Sequence, residues 1–192
     1  MALFGQSHTA LGLALLAQGK AKEAKTHFDA AADISPLPGD RNGQARLFAV
    51  LEKNYPAALR LLDDPASGLS AETTAATRTA LKALLTGKEQ DRMTAREALA
   101  SLSPAHTGVT VTVLLAALDA NSEALGAVET RVRSGVPTLR SYLFYPAFAK
   151  ARADPSFPGV AQRLGLMRYW KTTHTKPDVC SAKVVPPFCR MI

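Results

Sequence analysis

Aromatic side chains are scarce in this sequence of 192 residues, where they make up 6% and include one tryptophan. The strands of a β-sandwich or β-barrel draw on aromatic and β-branched residues, so this shortage argues against both folds. Long apolar runs are missing too, since none reaches the roughly 18 residues that a membrane-spanning helix needs. The sequence is therefore predicted to be soluble, with no membrane span.

Alanine and leucine, by contrast, are abundant and supply 59 of the 192 residues. Both are among the residues that cost least to place in an α-helix. Together with the shortage of strand-forming residues, this composition predicts an all-α fold.

Sequence motifs for catalysis, cofactors and metals are absent. There is no glycine-rich phosphate loop and no nucleophile-elbow sequence. The four histidines are scattered, and a zinc site made of His174, Cys180 and Cys189 would lack a fourth ligand. We therefore predict no catalytic residue, no cofactor and no metal, and expect a binding protein rather than an enzyme.

Basic charge is concentrated at the end of the chain. Residues 141–192 carry eight Lys and Arg against two Asp and Glu, whereas the preceding residues are nearly balanced. Such a local excess predicts either a patch for an acidic partner or a solvated tail that aids solubility. The candidate patch consists of Arg163, Arg168, Lys171, Lys176, Lys183 and Arg190.

The two cysteines, Cys180 and Cys189, lie in the same basic segment. A disulfide between them would close a small loop and stabilise a segment that has few apolar residues of its own. The sequence as written begins without a signal peptide, which predicts a cytoplasmic protein with reduced thiols. If the chain is a fragment of a membrane-anchored regulator, a periplasmic location and a disulfide are expected instead.

A spaced pattern of small and large apolar residues opens the chain. It consists of Leu11, Gly12, Leu15, Ala24, Phe28, Ala31 and Pro36, with His8 preceding it. Small residues suit positions where two helices cross closely, and Pro36 would end the second helix. The pattern resembles the tetratricopeptide repeat, although that family usually has Trp at the place of His8 and Tyr at the place of Leu15.

Three looser helix pairs are predicted after the first. They cover residues 44–53 and 55–62, 71–85 and 91–102, and 109–118 and 122–132. Asn121 is expected to cap the last of these helices. Short helix pairs of roughly constant period predict a right-handed α-solenoid of about four tetratricopeptide-like hairpins. Two long helical hairpins folded into one bundle would give a similar pattern, and this alternative stays open.

The segment after these pairs is predicted to form a helical cap, with Asp154 and Pro155 opening a helix and Gly165 ending it. It resembles the C-terminal cap of bacterial proteins that join a tetratricopeptide array to a signalling output such as a winged-helix regulator or a nucleotide cyclase. The residues that carry this resemblance are Asp154, Pro155, Phe157, Gly165, Leu166, Tyr169, Trp170, Pro177, Asp178 and Cys180. The predicted divisions are residues 1–137 for the repeats, 138–171 for the cap and 172–192 for a basic coil tail.

The resemblance implies a concave groove lined by the first helix of each pair, which would bind a protein or peptide. Its predicted lining residues are Gln6, Thr9, Leu13, Leu16, Arg46, Arg78 and Lys82. The implied role is that of a sensor or adaptor module in bacterial signalling or transcription regulation. A basic nucleic-acid-binding accessory protein is the alternative, with Tyr169 and Trp170 stacking on bases.

The first predicted helix is apolar on every side between residues 10 and 17. A helix with this composition is usually buried. We therefore expect something to cover it: a second copy of the chain in a homodimer, a partner protein, or a domain missing from this sequence.

Overall fold

The computed structural model describes residues 2–34, 38–103, 106–135 and 137–192. Within these ranges the chain is helical and contains no strand, which confirms the predicted all-α class. None of the described helices is both long enough and apolar enough to cross a bilayer.

Eight α-helices make up the first two thirds of the chain. They are α1 Ala2–Ala17, α2 Ala21–Ile34, α3 Pro38–Leu51, α4 Tyr55–Leu62, α5 Ala71–Thr86, α6 Glu89–Ala100, α7 Val109–Ala117 and α8 Asn121–Arg133. The remainder contains three short α-helices, α9 Ala149–Ala153, α10 Phe157–Arg163 and α11 Leu166–Thr173, and several 3-10 turns. Within each predicted pair the two helices contact each other, most extensively α1 with α2 and α5 with α6.

Short turns separate the paired helices. Gly19 and Gly87 adopt left-handed backbone conformations, with φ of +77° and +66°, in the turns that follow α1 and α5. Asn54 precedes α4, and its side-chain oxygen accepts a hydrogen bond from the Ala57 amide at 3.2 Å. Because these turns satisfy free helix-end groups locally, each pair reverses direction within a few residues.

The close crossing predicted in the first pair is confirmed. A Cβ atom placed on Gly12 of α1 would lie 3.0 Å from Phe28 Cε2 and 3.2 Å from the Ala24 carbonyl oxygen, both in α2. Ala24 and Phe28 are themselves buried. Only glycine at position 12 lets the two helices approach this closely without displacing atoms.

Two predicted helix caps are wrong. Asn121 is the first residue of α8, and the capping position before it belongs to Ala120. Asp154 does not open α10, whose capping position is Ser156. Its carboxylate instead accepts hydrogen bonds from the Ser156 amide at 2.9 Å and the Ser156 hydroxyl at 2.6 Å, an arrangement typical of a turn.

The end of the chain is packed against the cap rather than forming the expected coil tail. Cys180 and Cys189 are joined by a disulfide. Phe188 is buried, and its ring lies 4.7 Å from that of Phe157 and 5.6 Å from that of Trp170, measured between centroids. A single hydrophobic cluster therefore includes buried residues from all three predicted divisions of the chain.

The chain itself covers much of the apolar first helix. Leu13, Leu15 and Leu16 of α1 are buried, although Leu11 remains 48% exposed. α1 contacts α2 and also the 3-10 helix Pro137–Phe144. The expectation of an external cover is therefore unnecessary for Leu13 and Leu16, because the cap adds to the predicted partner α2 a neighbour that the sequence pattern did not reveal.

Candidate functional site

The candidate site is a partly open chamber of about 310 Å³ lined by several of the paired helices. Four helices that each come first in a pair contribute to it: α1, α3, α5 and α7. The residues that line the chamber are Thr9, Gly43, Gln44, Arg46, Leu47, Leu69, Thr73, Thr77, His106, Gly108, Val109, Thr110, Val111 and Tyr142. Among these residues there is no carboxylate, serine or cysteine.

Arg46 is the principal charged group of the chamber. It is 3% exposed, and its Nη1 atom donates to Asn42 Oδ1 at 3.1 Å and to the Ser67 carbonyl oxygen at 3.4 Å. Its Nε atom is buried without a hydrogen-bond partner. Burial away from water lowers the pKa of the Arg46 guanidinium. No described carboxylate forms an ion pair with Arg46, so its charge is held by neutral oxygens alone.

The start of α7 forms another wall of the chamber. Gly108 precedes the helix in an extended conformation and offers no side-chain cap. Its carbonyl oxygen accepts a hydrogen bond from the Thr112 amide at 3.1 Å. The amides of Val109, Thr110 and Val111 lie in the first turn, where no preceding helical carbonyl is available to them. This end of α7 therefore adds partial positive charge beside Arg46.

Other polar groups of the chamber have unused hydrogen-bonding capacity. Gln44 Oε1 and Thr77 Oγ1 are buried without a hydrogen-bond partner. Burial raises the pKa of the Tyr142 hydroxyl to about 12, so it stays protonated at neutral pH. Its phenol ring and the side chains of Leu47 and Val111 give the walls an apolar character. The chamber thus combines one buried cation with neutral polar groups and apolar surface, which suits binding.

The predicted groove residues of α1 do not all line the chamber. Thr9 lines the chamber, and its hydroxyl donates to the Gly5 carbonyl oxygen at 3.0 Å. Leu13 and Leu16 do not line it, because their side chains are in the core. The side chain of Gln6 lies outside the described part of the structure.

The basic residues predicted for the later turns of the groove also differ in whether they line the chamber. Arg46 lines the chamber, whereas Arg78 and Lys82 of α5 do not belong to its lining. Arg78 forms an ion pair with Asp63, and Lys82 is exposed. α5 turns Thr73 and Thr77 inward instead, so the two cations lie on other faces of this helix.

Sequence reasoning identified two of the lining residues, Thr9 and Arg46, and missed the others. Thr73 and Thr77 are one helical turn apart and fully or nearly buried, which places both on the inner face of α5. Their spacing on the same face of α5 as the buried Ala76 and Ala80 was the signal that could have identified them. Tyr142 comes from the cap, and no spacing within the repeats could have indicated it.

The predicted basic patch is exposed, but one member has a partner. Arg163 donates to both carboxylate oxygens of Glu129, through Nε at 2.7 Å and Nη2 at 2.9 Å. The other five side chains are exposed to solvent. Tyr169 is 58% exposed, whereas Trp170 is 5% exposed and packs against Phe188. Trp170 is therefore not free to stack on a base, which contradicts that part of the expectation.

No family model, curated protein or solved structure matches this chain. Within the described residues, no group of three or more His, Cys, Asp or Glu side chains is placed to hold a metal ion. The geometry of the chamber is consequently the main observation on which a function can be argued.

Proposed function

We propose that this chain is a non-catalytic scaffold that binds a protein or peptide, built as a right-handed α-solenoid of about four tetratricopeptide-like hairpins. The observation that supports this function is the shared chamber, to which α1, α3, α5 and α7 all contribute. In such solenoids the first helix of each hairpin lines the concave binding surface. The ligand is a segment of the partner that enters the chamber.

Binding rather than catalysis is favoured by the kinds of side chain present. An activated nucleophile needs an adjacent base, and the lining residues include no serine, cysteine or carboxylate. His106 is the one imidazole among them, and its Nδ1 atom lies 3.3 Å from Glu72 Oε2 in a half-exposed pair at the rim. The lining therefore offers hydrogen bonds and apolar contact to a ligand.

The proposed setting is a sensor or adaptor module of a bacterial signalling or transcription-regulating system. The resemblance of residues 154–180 to the cap of such proteins supports it, and so does the Cys180–Cys189 disulfide. Because disulfides persist in oxidising compartments, this bond favours a periplasmic location over the cytoplasm.

Peptide selection from a random display library tests the proposal. Selected peptides should bind the wild-type protein. Thr110→Trp in α7 or Gln44→Trp in α3 should weaken their binding at least tenfold by filling the chamber. The control Lys82→Trp places the same side chain on an exposed position of α5 and should leave binding unchanged. Equal binding by all variants, or no selected peptide, would contradict the proposal.

The alternative function is nucleic-acid binding through the basic patch. It is supported by the exposure of Arg168, Lys171, Lys176, Lys183 and Arg190. Binding of this kind falls steeply with salt, since it depends on released counterions. A labelled random-sequence duplex titrated at low and high salt separates the two functions: tight, salt-sensitive binding that the Thr110→Trp variant retains would favour the alternative.

A further inference from the structure

The guanidinium of Arg46 is buried and has no carboxylate partner among the described residues. A buried charge is costly unless a partner of opposite charge or several strong hydrogen bonds stabilise it. Among the described residues Arg46 finds neither, because its two acceptors there are neutral oxygens at 3.1 and 3.4 Å and its Nε atom has no partner. An anion beside Arg46 would therefore supply the opposite charge and the hydrogen bonds that the described protein groups do not.

Arg152 shows how a buried arginine serves the fold instead. Its Nη1 atom donates to the carbonyl oxygens of Leu143 and Tyr145 at 2.6 and 2.9 Å. These short bonds fix two backbone groups of the cap, although the Nε atom of Arg152 is likewise buried without a partner. Arg46 differs in that its bonds are longer and its side chain lines the chamber. The position of Arg46 is thus suited to a ligand.

Further features of the chamber favour the same kind of ligand. The first turn of α7 adds partial positive charge, and no acidic side chain among the lining residues opposes it. Leu47, Leu69 and Val109 give the walls apolar surface, and the volume of about 310 Å³ is that of a small-molecule site. An anion with an apolar body fits this combination better than a highly hydrated anion.

We propose that the chamber binds a carboxylate carried on an apolar body, with Arg46 as the residue that contacts the carboxylate and the start of α7 adding attraction. Two sources share this chemistry: a free organic acid, and an acidic side chain flanked by apolar residues in a partner segment. The inference rests on the proposed function in taking the chamber as the binding site.

Calorimetric titration with hexanoate and its neutral counterpart hexanamide tests the free-acid source. Hexanoate should bind at least tenfold more tightly than hexanamide, and Arg46→Met should abolish that difference. Arg46→Lys keeps the charge and should retain part of the preference, which guards against a folding defect in the first variant. Arg78→Gln is the control, because Arg78 already pairs with Asp63 and does not line the chamber.

A blocked peptide with one glutamate between leucines, compared with its glutamine counterpart, tests the peptide source in the same assay. A preference for either carboxylate that Arg46→Met removes supports the inference and identifies the source. Equal affinity for the charged and neutral members of both pairs, or a preference that survives Arg46→Met, overturns it. If display-selected peptides still enter the chamber in that case, the proposed function stands while this inference fails.

Discussion

Replacing Gly12 by alanine tests the close approach of α1 and α2. Alanine normally stabilises a helix interior by about 0.5–1 kcal/mol relative to glycine. At this position the new methyl group would lie 3.0 Å from Phe28 Cε2 and 3.2 Å from a backbone oxygen of α2. Phe28 is 3% exposed and has the ring of Phe48 beside it, at 5.5 Å between centroids.

The Ala24 carbonyl oxygen belongs to the backbone of α2 and cannot shift without the helix, although the Phe28 ring borders a cavity of about 300 Å³. Overpacking of a filled core costs about 1–3 kcal/mol, which exceeds the gain in helix propensity. Gly12→Ala should therefore lower the free energy of unfolding by about 1 kcal/mol, the difference between these two effects. In thermal unfolding this corresponds to a decrease in Tm of roughly 2–4 °C for a chain of this size.

Gly126→Ala provides a matched control within α8. Gly126 is exposed, and a Cβ atom there would have no neighbouring atom within 4 Å, unlike one at Gly12. This substitution should raise the free energy of unfolding by about 0.5–1 kcal/mol, measured by urea denaturation in parallel with Gly12→Ala. If both variants are stabilised to the same extent, the two helices do not cross at the distance described and the reasoning is refuted.

Two further predictions concern the cap and tail. Replacing Cys180 and Cys189 by alanine should lower the free energy of unfolding by about 2.6 kcal/mol, the loop-entropy value for a separation of nine residues. Urea denaturation measures this loss. The hydrogen bond from Arg163 lowers the pKa of the Glu129 carboxyl, so its contribution to stability is complete above the ordinary pKa of glutamate and is lost as the pH falls through the lowered value. Glu129→Gln should therefore reduce the loss of stability in thermal unfolding from pH 6 to pH 3.

Each of these predictions has a control in the same chain. Reductant should destabilise the wild type but leave the double alanine variant unchanged, and a wild type insensitive to full reduction would contradict the first prediction. Glu97 is an exposed glutamate of α6, and Glu97→Gln should leave the acid response nearly as it is. An acid response that is the same for Glu129→Gln and the wild type would contradict the second.

Local sequence signals predicted most helix starts in the repeats, although α3 begins at Pro38 and not at the predicted residue 44. The starts of α4, α5 and α7 at Tyr55, Ala71 and Val109 agree with the predicted ranges. These starts follow Asn54, Ser70 and Gly108, and short polar or flexible residues favour the position before a helix. The cap at Asp154 was wrong because its carboxylate forms a turn with Ser156 instead. The cap at Asn121 was wrong because α8 already begins at Asn121, whose Oδ1 atom is buried without a hydrogen-bond partner.

The candidate site was only partly predictable, because its residues come together through long-range packing. Arg46 was identified from its place on a first helix, but neither its burial nor its contact with the Ser67 carbonyl could be read from spacing. Leu13 and Leu16 were assigned to the groove because the sequence did not show that the cap would cover their side of α1. The face that a helix presents depends on partners far away in the sequence.

The contact between α1 and the 3-10 helix Pro137–Phe144 has a consequence for how the molecule unfolds. In an array where each unit contacts only its neighbours, terminal units can unfold while the rest stays folded. Here α1 contacts the 3-10 helix that follows α8, and α3 of the second pair contacts α7 of the fourth. Loosening α1 therefore removes support from the cap as well, and we expect the chain to unfold in one cooperative transition rather than by fraying from one end.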